Sequence, residues 1–319
     1  MLKKTLAFAT AAAVSLGALA GCTASAASEA PRVDKVAVTY VTAPLNVPSI
    51  TERETGAFAD AFGDGVDVTY SEITSGPEQT AALASGDIQF LFAVGATSVI
   101  LSAANGADIA IVDMYSRSPE AFMLISGADG PTSPDELVGK TVGGPKGTIL
   151  HEVLLAYLAS GGYTADDVDF VDMGIPDAQA ALAGGSIDVA LLAGPAAYTM
   201  LSDGYQKVTD GDGLVGATIV VATTRKFAEA HPEAVTTLRA AHQSVLDYMD
   251  DHPDEVVAMT AAETGLTEAA VRDMITMYDF SAEITPADIA AMSATVDFMV
   301  ANGMIEKAVD VESLILATE

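Results

Sequence analysis

Short β-type runs alternate with longer amphipathic stretches along most of the 319 residues of this chain. Val36 to Thr42 reads as the first strand and Val66 to Ser71 as the second. Ile88 to Ala93 and Ile109 to Met114 follow, each after a helical stretch. Strands that alternate with helices predict an α/β fold of largely parallel sheets with helices on both faces. From about Arg225 the pattern turns helical, in Pro232 to Asp250, Pro253 to Glu263 and Pro286 to Asn302. Proline near each start is a boundary signal, because a first helical turn has no use for the N–H that proline lacks.

One unit is written twice. Ala82-Leu83-Ala84-Ser85-Gly86-Asp87-Ile88-Gln89-Phe90 returns as Ala181-Leu182-Ala183-Gly184-Gly185-Ser186-Ile187-Asp188-Val189, at a constant offset of 99, and the register runs on to Gly95 and Gly194. A helix, a glycine turn, a buried strand and a glycine at its far end therefore recur. Two equivalent α/β units predict two lobes that offer strand ends and helix starts to a shared crevice. The expected division is lobe 1 at 33–121 and 222–319, and lobe 2 at 122–221. Phe122 to Ser126 and Thr218 to Val221 are β-rich and are expected to carry the chain across, making a two-crossing hinge.

The amino terminus changes the setting. Lys3 and Lys4 precede an apolar stretch, Leu6 to Ala20, that is short for a bilayer span. It ends in Leu19-Ala20-Gly21-Cys22, which holds the single cysteine of the chain. This run resembles a bacterial lipoprotein lipobox, which implies lipidation of Cys22, removal of residues 1–21 as a signal peptide, and a membrane-anchored protein outside the cytoplasm. An ordinary cleaved signal is the competing reading. A lipid on the sulfur accounts better for a lone thiol in an oxidising compartment. Residues 22–32 are small and polar and read as a flexible tether.

Without Lys3 and Lys4, 12 of the 14 basic residues face 44 acids, a formal charge of −32 with histidine neutral. So acidic a surface repels nucleic acid and anionic headgroups, and by itself names no ligand. His231, His242 and His252 lack metal-ligand spacing, so neither a metal nor a cofactor is expected.

Glycine at a strand-to-helix turn lets a ligand approach free N–H groups at the positive end of a helix. Val94-Gly95-Ala96-Thr97-Ser98 and Lys146-Gly147-Thr148 are two such turns, expected to face each other and to suit a sulfonate or carboxylate. Simple N-capping by Thr97 and Thr148 is the competing reading. The run Gly143 to Thr148 is no nucleotide phosphate loop, since its lysine precedes the last glycine. Arg117, in Tyr115-Ser116-Arg117-Ser118, follows a strand end and could clamp an acid, with an ion pair as the alternative. Lys146 is a second candidate cation. His151, one turn into the next helix, either meets the ligand or lies on a solvated face. Tyr40, Thr42, Asn46, Tyr115 and Tyr198 offer polar tips, the tyrosines on apolar bodies, and Gly76 and Gly194 complete the candidate set. With no tryptophan in the chain, an aromatic cage for a quaternary amine is disfavoured.

Together these residues resemble the solute-binding proteins of bacterial ABC importers, in the alkanesulfonate, taurine, nitrate and thiamine-precursor branch. The matching runs are Leu83 to Ile88, Ser133 to Val142, Gly147-Thr148 with His151, Asp167-Val168, Ala180 to Leu182, Ile187-Asp188 and Gly194-Pro195. The resemblance implies a periplasmic-binding-protein type II fold and a pocket lined by the loop from Tyr40 to Asn46. It also implies a monomer that delivers a small organic anion to an ABC permease and its ATPase without covalent chemistry. A neutral aromatic or heterocyclic solute such as a thiamine pyrimidine precursor is the alternative ligand. A sensor domain that presents ligand is a further possibility. A pyrimidine-forming enzyme on the same fold is opposed by the lack of a nucleophile–base constellation.

Overall fold

β-branched and aromatic runs become strands close to where the pattern places them. The structure, a computed structural model, describes residues 33–317, so the expected signal peptide, Cys22 and the tether lie outside the described residues. The first stretch holds β1 (Lys35–Tyr40), α1 (Val47–Thr55), α2 (Ala57–Phe62), β2 (Asp67–Glu72), α3 (Gly76–Ser85), β3 (Leu91–Gly95), α4 (Ala96–Ala104) and β4 (Ala110–Arg117). Then come β5 (Phe122–Ser126), α5 (Pro134–Leu137), β6 (Thr141–Gly144), α6 (Ile149–Ser160), β7 (Asp169–Asp172), α7 (Ile175–Ala183), β8 (Val189–Ala193), α8 (Gly194–Ser202) and β9 (Gln206–Asp210). After β10 (Thr218–Thr223) the chain is helical: α9 (Arg225–Ala230), α10 (Pro232–Asp251), α11 (Pro253–Thr264), α12 (Glu268–Ile275), α13 (Pro286–Ala301) and α14 (Val311–Leu314).

The repeat in the sequence is a repeat in space. β1 pairs in parallel with β2 and touches β3 through Val38 and Phe90, while β10 lies antiparallel between β3 and β4. The second sheet runs β7-β6-β8-β5-β9, with β6 parallel to β7 and β8, and β5 antiparallel between β8 and β9. Both sheets thus follow one plan, second strand, first, third, an inserted antiparallel strand, fourth. The inserted strands are β5 and β10, each the first strand the chain forms after passing from one sheet to the other. The type II periplasmic-binding fold has this plan. β5 and β10 lie wholly within their sheets, which corrects the expectation that they make the crossings. The crossings are the short segments 118–121 and 211–217, tied together by the Gly211 N–H to the Pro119 carbonyl at 3.0 Å.

Strand alternation decides which helices cover which face. Val36, Val38, Phe90 and Phe92 pack in one apolar cluster with Leu238 of α10, and Leu91, Val94, Ile111 and Val220 pack on the opposite side with α4 and α13. In the second sheet Leu124, Val189 and Leu191 meet α6, while Met123, Ile125, Ala190 and Leu192 meet α7 and α8. Strands buried on both faces read as continuous apolar runs, as seen at β5 and β8.

Candidate ligand-binding cleft

Six strand-to-helix turns, β1→α1, β2→α3, β3→α4, β6→α6, β7→α7 and β8→α8, line one cavity of about 440 Å³ between the two sheets. That volume suits a small molecule. One wall carries Thr42, Pro44, Asn46, Ser75, Gly76, Gln79, Gly95 and Ser98, and the other Pro145, Thr148, Ile149, Gly174, Ile175, Gln179, Pro195 and Thr199. Phe122 of β5 and Ile219 of β10 also line it, and Glu263 and Thr264 reach it from the end of α11.

All six helices begin without a side-chain cap. Their first N–H groups are therefore unclaimed by N-cap side chains, except that in α1 the Val47 N–H turns to the Leu45 carbonyl and the Ser49 N–H to the Tyr115 hydroxyl, which leaves the other five as donors; each helix start carries partial positive charge. Proline sits in the first two positions of α1, α3, α7 and α8 and removes one donor from each. The first turns of α4 and α6 keep every donor, and these two helices pack together. The third strand aims this corner with a bulge: Val94 and Phe92 pair with consecutive residues of β10, and Ala93 between them has φ +78°. Ala93 itself lines the cavity.

Of the residues singled out in the sequence, Thr42, Asn46, Gly76, Gly95, Ser98 and Thr148 line the cavity, and eleven do not. Arg117 is the clearest correction. Its Nε and Nη2 donate to the two carboxylate oxygens of Asp288 at 2.6 Å each, and Nη2 also reaches the Glu283 carbonyl at 2.8 Å. The guanidinium is spent on fastening β4 to α13, which holds the Asp288 carboxyl below its ordinary range even though burial opposes this. Neighbouring Ser116 is buried in the first sheet, as is Tyr115, whose hydroxyl accepts the Ser49 N–H at 3.0 Å.

Lys146 is exposed, and what it anchors is its backbone N–H, on Asp172 at 2.9 Å. His151 is buried against Phe170, with ring centroids 4.8 Å apart. Burial, reinforced by the charge of Lys146, lowers its pKa to about 4, so the ring is neutral and its Nδ1 accepts the Gly147 N–H at 3.4 Å. His151 lies outside the cavity lining, and its burial overturns the solvated face expected as the alternative. Tyr198 packs beside Leu45 and Val47, outside the cavity.

Gly147 and Ser98 meet directly, the Ser98 hydroxyl donating to the Gly147 carbonyl at 3.0 Å. The two glycine corners thus touch at one end of the cleft, with Gly95 on the cavity and Gly147 behind it. Ala96, the first residue of α4, packs into the core. Thr97 and Thr148 cap nothing: Thr97 donates to Glu152 at 2.6 Å, and Thr148 to the Pro145 carbonyl at 2.8 Å. Glu152, which the sequence did not flag, also accepts from Thr295 at 2.8 Å, and burial pushes its carboxyl up despite both donors. Gly194 starts α8 so close to Pro44 that a side chain there would collide with the Pro44 backbone. Tyr40 lies under the guanidinium of Arg53 and donates to Glu263 at 2.8 Å.

Several wall residues went unseen in the sequence. The turn at Ile175 stands 99 residues after the one at Gly76, which the sequence did single out, so following the repeat one strand further back would have found it. Glu263 had no such signal, because only tertiary packing brings the end of α11 to the cleft.

A model of the NMT1/THI5-like family matches residues 45–256. The taurine-binding periplasmic protein of Escherichia coli (strain K12) is 28% identical over 277 residues, covering 81% of this chain and 84% of that one. Among solved structures, the alkanesulfonate-binding protein SsuA from Xanthomonas axonopodis pv. citri bound to MOPS superposes with TM-score 0.82 at 21% identity, over 90% of this chain and 99% of the other. The desulfurization enzyme DSZB superposes with TM-score 0.67 at 18% identity, over 88% of this chain and 96% of the other. At such identities the superpositions establish the fold, and that fold carries binding proteins and an enzyme alike. By the match over two thirds of its length, the chain belongs to the NMT1/THI5-like family.

Proposed function

We propose that the chain is the extracytoplasmic solute-binding component of an ABC importer, anchored by lipid at Cys22, and that it captures a small organic anion of the sulfonate class. Lobe 1 (33–121 and 222–319) and lobe 2 (122–221) close on the solute about the paired crossings near Pro119 and Gly211, then hand it to the permease. One observation carries the reading: six uncapped helix starts converge on one cavity whose wall, among the described residues, contains no lysine, arginine or histidine. An anion there is held by main-chain N–H groups and helix dipoles rather than by an ion pair. A sulfonate offers three acceptor oxygens to such donors and keeps its charge at any physiological pH. The similarity to a taurine-binding periplasmic protein supports this class. No covalent step is assigned; among the described residues the wall holds no cysteine and no histidine.

The apolar share of the wall, Phe122, Ile149, Ile175 and Ile219 among others, favours a neutral heterocycle as the second reading. A thermal-shift screen of the purified protein against sulfonates, carboxylates, nitrate and pyrimidines separates the two. A ligand at a hundredfold excess over Kd adds about 2.7 kcal/mol of apparent stability, which raises the melting temperature by several degrees. Sulfonates are expected to shift the melt and pyrimidines not to. A shift by pyrimidines alone replaces the anion with the heterocycle, and a shift only by cations or peptides overturns both.

A further inference from the structure

Among the described residues, the only charged side chain in the cavity wall is an acid, which is unexpected for an anion site. Glu263 stands at the end of α11, with its Oε1 accepting the Tyr40 hydroxyl at 2.8 Å and 3.9 Å from the Arg53 guanidinium. Its Oε2 accepts no hydrogen bond among the described residues. Two more wall residues carry a side-chain oxygen without a donor, in each case buried behind the cavity surface. Asn46 and Gln79 commit their NH₂ groups to backbone carbonyls, Asn46 to Val41 at 2.9 Å and Gln79 to Ile73 at 2.9 Å. Those bonds fix which end of each amide faces where, and they leave Asn46 Oδ1 and Gln79 Oε1 buried without a donor. Helix starts therefore supply donors to the cavity, while Glu263 brings a carboxylate to its wall.

We infer that the site selects zwitterions: the acid group of the solute lies on the helix starts, and an ammonium group at its other end pairs with Glu263. The inference rests on the sulfonate reading above and narrows it. A carboxylate facing an ammonium at short range in a partly desolvated cleft favours the zwitterion over an uncharged tail. It also penalises a second negative charge on the solute. Tyr40 and Arg53 hold the carboxylate in place from the side away from the solute. Burial first, and then Glu263, keep the Tyr40 phenol well above its ordinary pKa, so it remains a donor to the carboxylate.

Calorimetric titration of the full chain with 2-aminoethanesulfonate and with ethanesulfonate tests this, since the two differ by one ammonium group. At least a tenfold preference for the amino compound is expected, equivalent to about 1.4 kcal/mol. In Glu263→Gln, which keeps side-chain size and an acceptor for Tyr40, the preference is expected to fall to about twofold or less, with ethanesulfonate affinity kept or improved. Equal affinities in the unaltered protein overturn the inference, as does a preference that survives in Glu263→Gln. Glu263→Ala serves as the second variant, and loss of both ligands in both variants also overturns it. If the unaltered protein binds neither compound, the sulfonate reading itself falls, and this inference falls with it.

Discussion

Gly95 and Gly194 hold equivalent places in the two copies of the repeat, yet they differ sharply in what a methyl group would cost. Gly95 has φ −62°, and a Cβ there would meet Ile149 Cδ1 at 3.2 Å, the far end of a flexible side chain. Gly194 has φ +58°, and a Cβ there would overlap the carbonyl oxygen of Pro44, where real contacts essentially never fall below 3.0 Å. The obstacle is backbone, so no rotamer change relieves it. A left-handed conformation costs an L-residue about 1–2 kcal/mol, and overpacking adds about 1–3 kcal/mol. Gly194→Ala is thus expected to lose about 2–5 kcal/mol, and Gly95→Ala less than about 1 kcal/mol. Pro44 follows β1 and Gly194 follows β8, so the strain falls on the seam between the sheets. Urea unfolding of both variants beside the unaltered protein reads the difference as a shift in midpoint at constant slope. Equal losses, or a Gly194→Ala midpoint matching that of the unaltered protein, would refute the close approach on which the cleft depends.

Three further substitutions and titrations follow from side chains around the cleft. Burial raises the Glu52 carboxyl to about 7 although Tyr70 and the Phe58 N–H both donate to it. Between about pH 4.5 and 7 the folded protein holds a proton that the unfolded chain has released. Stability present below that window is therefore lost as pH rises, by about 3 kcal/mol. Glu52→Gln should match the unaltered protein at pH 4 and exceed it at pH 8 in urea unfolding; the same difference at both pH values would contradict the burial argument. Arg117→Ala strips the buried Asp288 of its bidentate partner and should cost about 2–3 kcal/mol. Sulfonate affinity, followed by calorimetry, should stay within about twofold, and a loss of affinity without a loss of stability would return Arg117 to the ligand. Because His151 titrates near 4, binding should be flat from pH 5.5 to 8, and an inflection near pH 6.5 would place a titrating histidine in the site.

What the sequence made legible is what repeats locally. Strand positions followed from β-branched runs, helix starts from proline, and the paired halves from the offset of 99 between Gly95 and Gly194. Gly95, Ser98 and Thr148 reached the wall because a strand end and a helix start are adjacent in the chain. Charge misled. Arg117 and Lys146 were singled out as cations beside turns, but position in a loop says nothing of long-range partners, and Asp288 lies 171 residues from Arg117. His151 was open to ligand or solvent on sequence grounds because it stands one turn into a helix beside a glycine turn. The helix is in fact wedged between the second sheet and α4, so its polar positions are buried as well. Glu152 and Glu263 were silent for the same reason: their roles are set by residues far along the chain, Thr295 for one and Tyr40 for the other.

The proposed capture of an anion by so acidic a chain turns on distance. The chain carries a formal charge of −30, but surface charges are screened beyond about 8 Å at physiological ionic strength. The dipole of a helix acts within its first turn, with about half a charge at each start. A solute in solution therefore meets the net charge weakly, and a solute in the cleft meets the helix starts strongly. Distant acids act on the rate of encounter, whereas unscreened main-chain donors act on residence. The one acid among the described residues that does reach the wall, Glu263, lies within the screening distance of a bound solute, so it costs a simple anion some affinity. A solute whose own ammonium cancels that charge escapes the cost, which makes the position of a single carboxylate more informative about the ligand than all the acids on the surface.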